Sequence, residues 1–142
     1  MFFKKKSENI HCEICDIING KIKRLKISEN DFALSFLDVN PLSDGHSIVA
    51  SKKHYSDLSN ADDIAIKSVF SLTKYTTNKI INNLTGVNDC CFLFNEKTIS
   101  GQKYNHFYLN IIPKYNDEIL DIKKNILWID DLDYTYEKIM KK

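Results

Sequence analysis

The stretch Asn105–Pro113, NHFYLNIIP, reads as a β-strand with two unlike faces. Side chains alternate across a strand, so Phe107, Leu109 and Ile111 point one way and His106, Tyr108 and Asn110 the other. The first face is core. The second sets a histidine, a tyrosine and an asparagine in a row before an apolar ending. It must look into solvent, a metal or a ligand pocket.

Working outward from this strand, DCCFLFN (Asp89–Asn95) supplies another, with the glycine-containing loop EKTISGQ (96–102) between them. RLKISENDFALSFLDV (24–39) predicts two strands joined by a polar tip at Ser28–Asp31. After Pro41 and the SDG turn, HSIVASKKH (46–54) predicts one more. CEICDIINGKI (12–22) predicts a short helix ended by Gly20. The long helix is expected from about Asn60 to Leu84, with Asn60 as N-cap, Asp62 and Asp63 at the positive end of its dipole and Gly86 as terminator. Ile66, Val69, Phe70, Thr73, Ile80 and Leu84 form its apolar stripe, as packing on a sheet requires. The expected class is therefore α+β, a mostly antiparallel sheet with one long helix.

At 142 residues and 43% hydrophobic content, the chain supports one domain with a real core. A net charge of +1 and a pI of about 7.6 give no field that favours nucleic acid or membrane as a general partner. MFFKKKSEN lacks a following apolar run, so no signal peptide is expected, and no stretch reaches the roughly 20 apolar residues of a membrane helix. A soluble cytoplasmic protein is the expectation.

Four cysteines fall in two pairs. Cys90 and Cys91 sit within CCFLF and read as small buried hydrophobes. Cys12 and Cys15 have the C-x-x-C spacing that brings two thiolates onto one metal or into one disulfide. A cytosolic setting disfavours the disulfide. A redox pair would follow a strand and open a long helix; this one precedes every strand, so metal is the better reading. Two buried thiols remain the plain alternative.

The ordered set CEICDIINGKI, ALSFLDVNPLSDGHSIVASKKH, FLFNE…SGQ and HFYLNIIPKY, covering 12–115, resembles the histidine-triad (HIT) superfamily of nucleotide hydrolases and transferases. The resemblance implies a five-stranded antiparallel sheet with a short N-terminal helix and one long helix. It also implies pairing with a second copy across the long helix and a central strand. The expected organisation is an N-terminal extension at 1–11, the HIT-like domain at 12–115, and a C-terminal extension at 116–142, partly helical and packed on the domain.

In that family three histidines alternate, and the middle one attacks the α-phosphorus of a nucleotide. Laid on this chain, the positions are His106, Tyr108 and Asn110, so the triad is degenerate. Imidazole suits the attack because it is partly neutral near pH 7. A phenol, with a pKa of about 10, is only about 0.1% ionised there. Loss of a nucleophile from a pre-organised hydrolytic site costs on the order of 10⁶ in turnover. Asn110 can still bond a phosphate oxygen but carries no positive charge. Lys103 stands after GQ, where many members have serine or threonine. It either holds phosphate or is a solvated loop charge. His46 matches a histidine beside the triad and is the one further imidazole that could serve Tyr108 as a base.

The zinc-containing branch holds its metal with two cysteines, the histidine ending KKH and the first triad histidine. The matching residues are Cys12, Cys15, His54 and His106, a closed Cys₂His₂ set of the kind that holds one structural Zn²⁺ per chain. The resemblance further matches Ile14, Ile17, Phe36 and Val39 to the walls of a purine nucleoside pocket, Asp38 to its ribose carboxylate, Asn95 to a phosphate-side amide, and Gly101 and Gln102 to the phosphate loop. The apolar four serve equally well as plain core, and Asp38 equally as a cap on the turn at Asn40–Pro41. Three functions stay open: a nucleotide- or nucleoside-binding protein without the usual hydrolysis, a weak or altered phosphohydrolase or phosphoramidase, and a dimeric interaction module without ligand.

Overall fold

The computed structural model describes residues 11–94, 104–115 and 132–140. Elements run in the order α1 (Glu13–Ile18), β1 (Lys26–Glu29), β2 (Ala33–Leu37), β3 (Ser47–Ser51), a 3₁₀ turn (Leu58–Asn60), α2 (Asp63–Asn83), β4 (Val87–Leu93), β5 (Tyr108–Tyr115) and α3 (Leu132–Ile139). The five strands form one sheet, ordered β1-β2-β3-β5-β4, with every pair antiparallel. This is the α+β architecture expected from the sequence, with the five-stranded antiparallel sheet that the resemblance implies.

Strand β5 sits between β3 and β4, and its two faces separate two cores. Phe107, Leu109 and Ile111 join Ala33, Val49 and Cys90 beneath α2. The other face is not open to solvent. Tyr108 is 6% exposed and packs in a second apolar cluster with Ile14, Ile17, Phe36, Ile48 and Tyr104. Ile14 and Ile17 of the short helix α1 pack on that face, so the tyrosine is a core residue.

Helix α2 starts two residues later than expected. Asp62 is its N-cap, its carboxylate accepting the Ala65 N–H at 2.8 Å and the Tyr55 hydroxyl at 2.8 Å. Asn60 instead closes the 3₁₀ turn, where Asp57 accepts both its backbone and its amide N–H. The buried stripe is Ala65, Val69, Leu72, Thr73, Thr76 and Ile80. Phe70, assigned to the core from spacing, is 46% exposed, because the sheet is met by a stripe turned toward Leu72 and Thr76. Cys90 is buried as expected, while its neighbour Cys91 points to the other face and is only half-buried.

Two glycines set the turns that matter. Gly86 follows the helix with φ +88° and turns the chain into β4. Gly45 has φ +86°, and an added Cβ would lie 2.6 Å from Leu84 Cδ1, so the SDG turn needs both the backbone freedom and the space. The Ser43 hydroxyl donates to the Pro113 carbonyl at 2.6 Å and the Tyr115 hydroxyl to the Asp44 carbonyl at 2.7 Å, which fastens this turn to β5.

On α3, Tyr134, Tyr136 and Ile139, with Met140 just beyond its end, are each more than half exposed. Among the described residues no helix is long and apolar enough to cross a membrane.

Candidate metal centre and degenerate triad

Cys12 is the N-cap of α1, and its sulfur accepts the Cys15 N–H at 3.4 Å. One helical turn therefore places both sulfurs on the same side. Strand β3 ends at Ser51 and delivers His54 to them, while the start of β5 delivers His106. The two segments are tied by the Phe107 N–H donating to the Tyr55 carbonyl at 2.7 Å. His106 Nδ1 lies 3.3 Å from Cys12 Sγ and 3.6 Å from Cys15 Sγ, and His54 Nδ1 lies 3.3 Å from Cys15 Sγ. All four ligand atoms fall within 4.8 Å of one another. A tetrahedral zinc with ordinary bond lengths separates sulfur from nitrogen by about 3.6 Å, so the donor set and its spacing fit that ion.

The proton arrangement fits as well. His106 is fully buried, and its Nε2 donates to the Ser51 carbonyl at 2.6 Å, with the Ser51 hydroxyl 3.3 Å away. That bond fixes the tautomer and leaves the Nδ1 lone pair facing the sulfurs. Burial pushes the His106 pKa down to about 4, partly opposed by the Ser51 bond, so the ring is a neutral ligand at ordinary pH. The Cys15 thiol is pushed up to about 12, first by burial and then by the neighbouring Cys12 sulfur. Two thiolates resist sharing this corner unless a cation neutralises them.

Further along β5, the former triad face is wired differently. The Leu42 N–H donates to His46 Nδ1 at 3.0 Å, so the ring proton sits on Nε2, which donates to Asn110 Oδ1 at 2.9 Å. The Asn110 amide group in turn donates to the Leu93 carbonyl at 3.1 Å. Asp38 Oδ2 is 3.6 Å from His46 Nε2, and its Oδ1 accepts the Asn40 N–H at 2.9 Å. Both His46 nitrogens are thus engaged, and neither by Tyr108; the base role considered for this histidine has no hydrogen bond behind it. Tyr108 stacks edge-on against Tyr104, ring centroids 5.3 Å apart.

The nucleoside set is only partly gathered. Ile14, Ile17 and Phe36 lie together in the second core, whereas Val39 is 56% exposed. Val39 lines a hollow of about 390 Å³ with Asp38, Leu37 and Leu25. Asp38 serves as the turn cap weighed for it, while its carboxylate also faces His46. Asn95, Gly101, Gln102 and Lys103 lie outside the described residues. Sequence reasoning missed Ser51, whose part is played by a backbone carbonyl and so has no residue-type signal. It also missed Tyr104, whose packing on Tyr108 depends on how the loop before β5 turns.

Residues 19–117 match the family model of the HIT domain. A HIT-like protein of Mycoplasma genitalium is 40% identical over 113 residues, 78% of each chain. An adenosine 5′-monophosphoramidase of Schizosaccharomyces pombe is 33% identical over 75% of this chain and 77% of its own. Among solved structures, a HIT family protein from Bacillus anthracis superposes with a TM-score of 0.77 at 26% identity, covering 92% of this chain and 95% of that one.

Proposed function

The chain belongs to the HIT domain family, and from that premise we propose that it binds a purine nucleotide or nucleoside on a zinc-stabilised scaffold without performing the usual nucleotidyl-histidine hydrolysis. The observation that carries this reading is the pairing on β5. Where the second and third imidazoles would stand, Tyr108 is packed into the core and Asn110 spends its carbonyl oxygen on the His46 Nε2–H. An amide cannot shuttle a proton or carry positive charge against a developing phosphoryl charge.

Zinc suits Cys12, Cys15, His54 and His106 as a closed structural site: it would cross-link the start of α1, the segment after β3 and the entry to β5. Four protein ligands leave no position for an activated water. Support for the ligand comes from the hollow at Asp38 and Val39, at the end of β2, and from the activity named for the yeast relative, which acts on an adenosine monophosphoramidate. Support for a homodimer comes from α2 and β4. Phe70 and Phe92, 46% and 49% exposed, line a second hollow of about 390 Å³ with Thr77, whose buried hydroxyl has no hydrogen-bond partner among the described residues. A second copy laid against the edge strand would cover this face. A cytoplasmic location follows from this reading.

The test is hydrolysis of adenosine phosphoramidate by the purified, zinc-loaded protein beside a Tyr108→His, Asn110→His double variant. The expected result is a silent wild type and an active variant, an intact pocket that lost its nucleophile. Turnover by the wild type that disappears in Tyr108→Phe would instead establish a tyrosine-dependent enzyme.

A further inference from the structure

Next to the Asp38 hollow, and sharing Lys23 and Arg24 with it as a common wall, lies a different pocket of about 300 Å³. Its apolar side is Ile17, Ile18, Ile22 and Leu34, with Phe36 beneath, Ile17 and Phe36 being also among the side chains matched to nucleoside walls; its basic side is Lys26 and Lys52. Lys26 opens β1 and Lys52 follows β3, so the two lysines straddle β2 from opposite sides. Both reach one anion. Glu29 Oε1 accepts from Lys26 Nζ at 2.9 Å, and its Oε2 pairs with Lys52 Nζ at 3.0 Å.

The charge is not balanced by that carboxylate. Arg24 is paired with Glu13 at 2.9 Å, and Lys23 makes no ion pair among the described residues. Four cations against Glu13 and Glu29 leave the wall with two positive charges in excess. A phosphomonoester carries close to two negative charges at pH 7 and presents three acceptor oxygens. The apolar side would take a flat body about the size of one ring, since 300 Å³ is at the small end of ligand pockets, which run from about 300 to 1,000 Å³.

We propose that this pocket binds a small aryl phosphomonoester, its phosphate replacing Glu29 between Lys26 and Lys52 and its ring lying against Ile22 and Leu34. Glu29 is the internal occupant of the anion position. It holds the two ammonium groups at the separation an incoming phosphate needs and swings out on binding, its side chain being 44% exposed. The site adjoins the Asp38 hollow across Lys23 and Arg24, but its anion position between Lys26 and Lys52 takes no residue from that hollow and does not depend on the state of the triad.

Phenyl phosphate titrated into the full-length protein, followed by backbone amide NMR, tests this directly. Saturable shifts are expected at Ile22, Glu29, Leu34 and Lys52, with affinity falling as salt is raised. A Lys26→Ala, Lys52→Ala double variant should bind about tenfold more weakly or worse, as loss of two charge-assisted hydrogen bonds requires. Glu29→Gln should bind more tightly than wild type, because the competing carboxylate is gone while the fold is untouched; a purely structural role for Glu29 gives no such gain. Shifts confined to the neighbourhood of Asp38 and Val39 overturn the proposal. So does unchanged affinity in the double lysine variant, or weaker binding by Glu29→Gln. Inorganic phosphate binding as tightly as phenyl phosphate overturns it too, since the apolar wall would then contribute nothing.

Discussion

The Nε2–H of His46 is 2.9 Å from Oδ1 of Asn110, and this bond joins the turn after β2 to the middle of β5. With the Leu42 N–H on the other ring nitrogen, the imidazole has no spare position for a proton relay. The bond is structural, and its removal has a definite cost. Asn110→Leu would take away the acceptor of the buried His46 Nε2–H, leaving Asp38 Oδ2 at 3.6 Å, while the exposed Leu93 carbonyl turns to water. A loss of about 1–3 kcal/mol is expected for unsatisfied groups of this kind, measured by urea unfolding. A variant as stable as wild type would mean that water replaces the amide without penalty.

Metal removal exposes the titration of the ligands themselves. In the metal-free protein His106 has a folded pKa of about 4 against an ordinary 6.5. The unfolded chain then binds the extra proton first, so stability is full above 6.5 and falls as pH drops toward 4. The integrated loss is about 3 kcal/mol. Cys15, raised from 9.0 to about 12, acts at the other end: its contribution is present below 9 and is lost as pH rises through 12. A chelator-treated sample should therefore show a stability maximum between these flanks, read by denaturant midpoints across pH. Added zinc should raise the whole curve at neutral pH, since metal bound only to the folded state stabilises it. No stabilisation by zinc would contradict the proposed centre.

How much of this was legible in the sequence depends on which atoms do the work. The metal quartet was readable because side chains carry it: C-x-x-C and the histidine of KKH mark their own positions, and His106 heads the strand. The α2 cap was misplaced because Asp57, Asn60 and Asp62 are all cap-forming types within six residues. Only the 3₁₀ turn assigns Asn60 to Asp57. Phe70 looked like core because period alone cannot say which of two adjacent stripes meets the sheet. The burial of Tyr108 could not be read at all. It depends on Tyr104, in the loop just before β5, turning back onto the strand, and on α1, far away in sequence, closing over it. The bridging of Lys26 and Lys52 by Glu29 was hidden in the same way, since β3 must lie two strands from β1 for it to form.

Gly45 links the helix end to the site. Its φ of +86° and the 2.6 Å approach of Leu84 to a would-be Cβ both resist substitution. Gly45→Ala should cost about 1–2 kcal/mol from the backbone conformation alone, with more if Leu84 cannot yield. Because His46 follows directly, its imidazole NMR signals should shift as well. A variant with wild-type stability and unmoved His46 signals would show that the turn is looser than its geometry indicates.

Tyr108 is the residue on which structure and function pull together. It is 6% exposed and packed on Ile14, Ile17, Phe36 and Tyr104, so it fills volume that a histidine would fill only in part. Tyr108→Ala should lose about 3–5 kcal/mol, the range for truncating a buried aromatic side chain. Tyr108→Phe keeps the ring and should fold well, with any loss limited to the hydroxyl's hydrogen bonding. Nucleoside affinity, measured by calorimetry with adenosine and AMP, then separates packing from recognition. If the phenol only fills the core, Phe binds adenosine as wild type does and Ala fails through loss of the fold. If the hydroxyl crowds the 5′-phosphate position, Phe gains affinity for AMP while its affinity for adenosine stays level. A Tyr108→Ala variant that is fully stable would refute the packing role, and the residue would then have to be explained by ligand or chemistry alone.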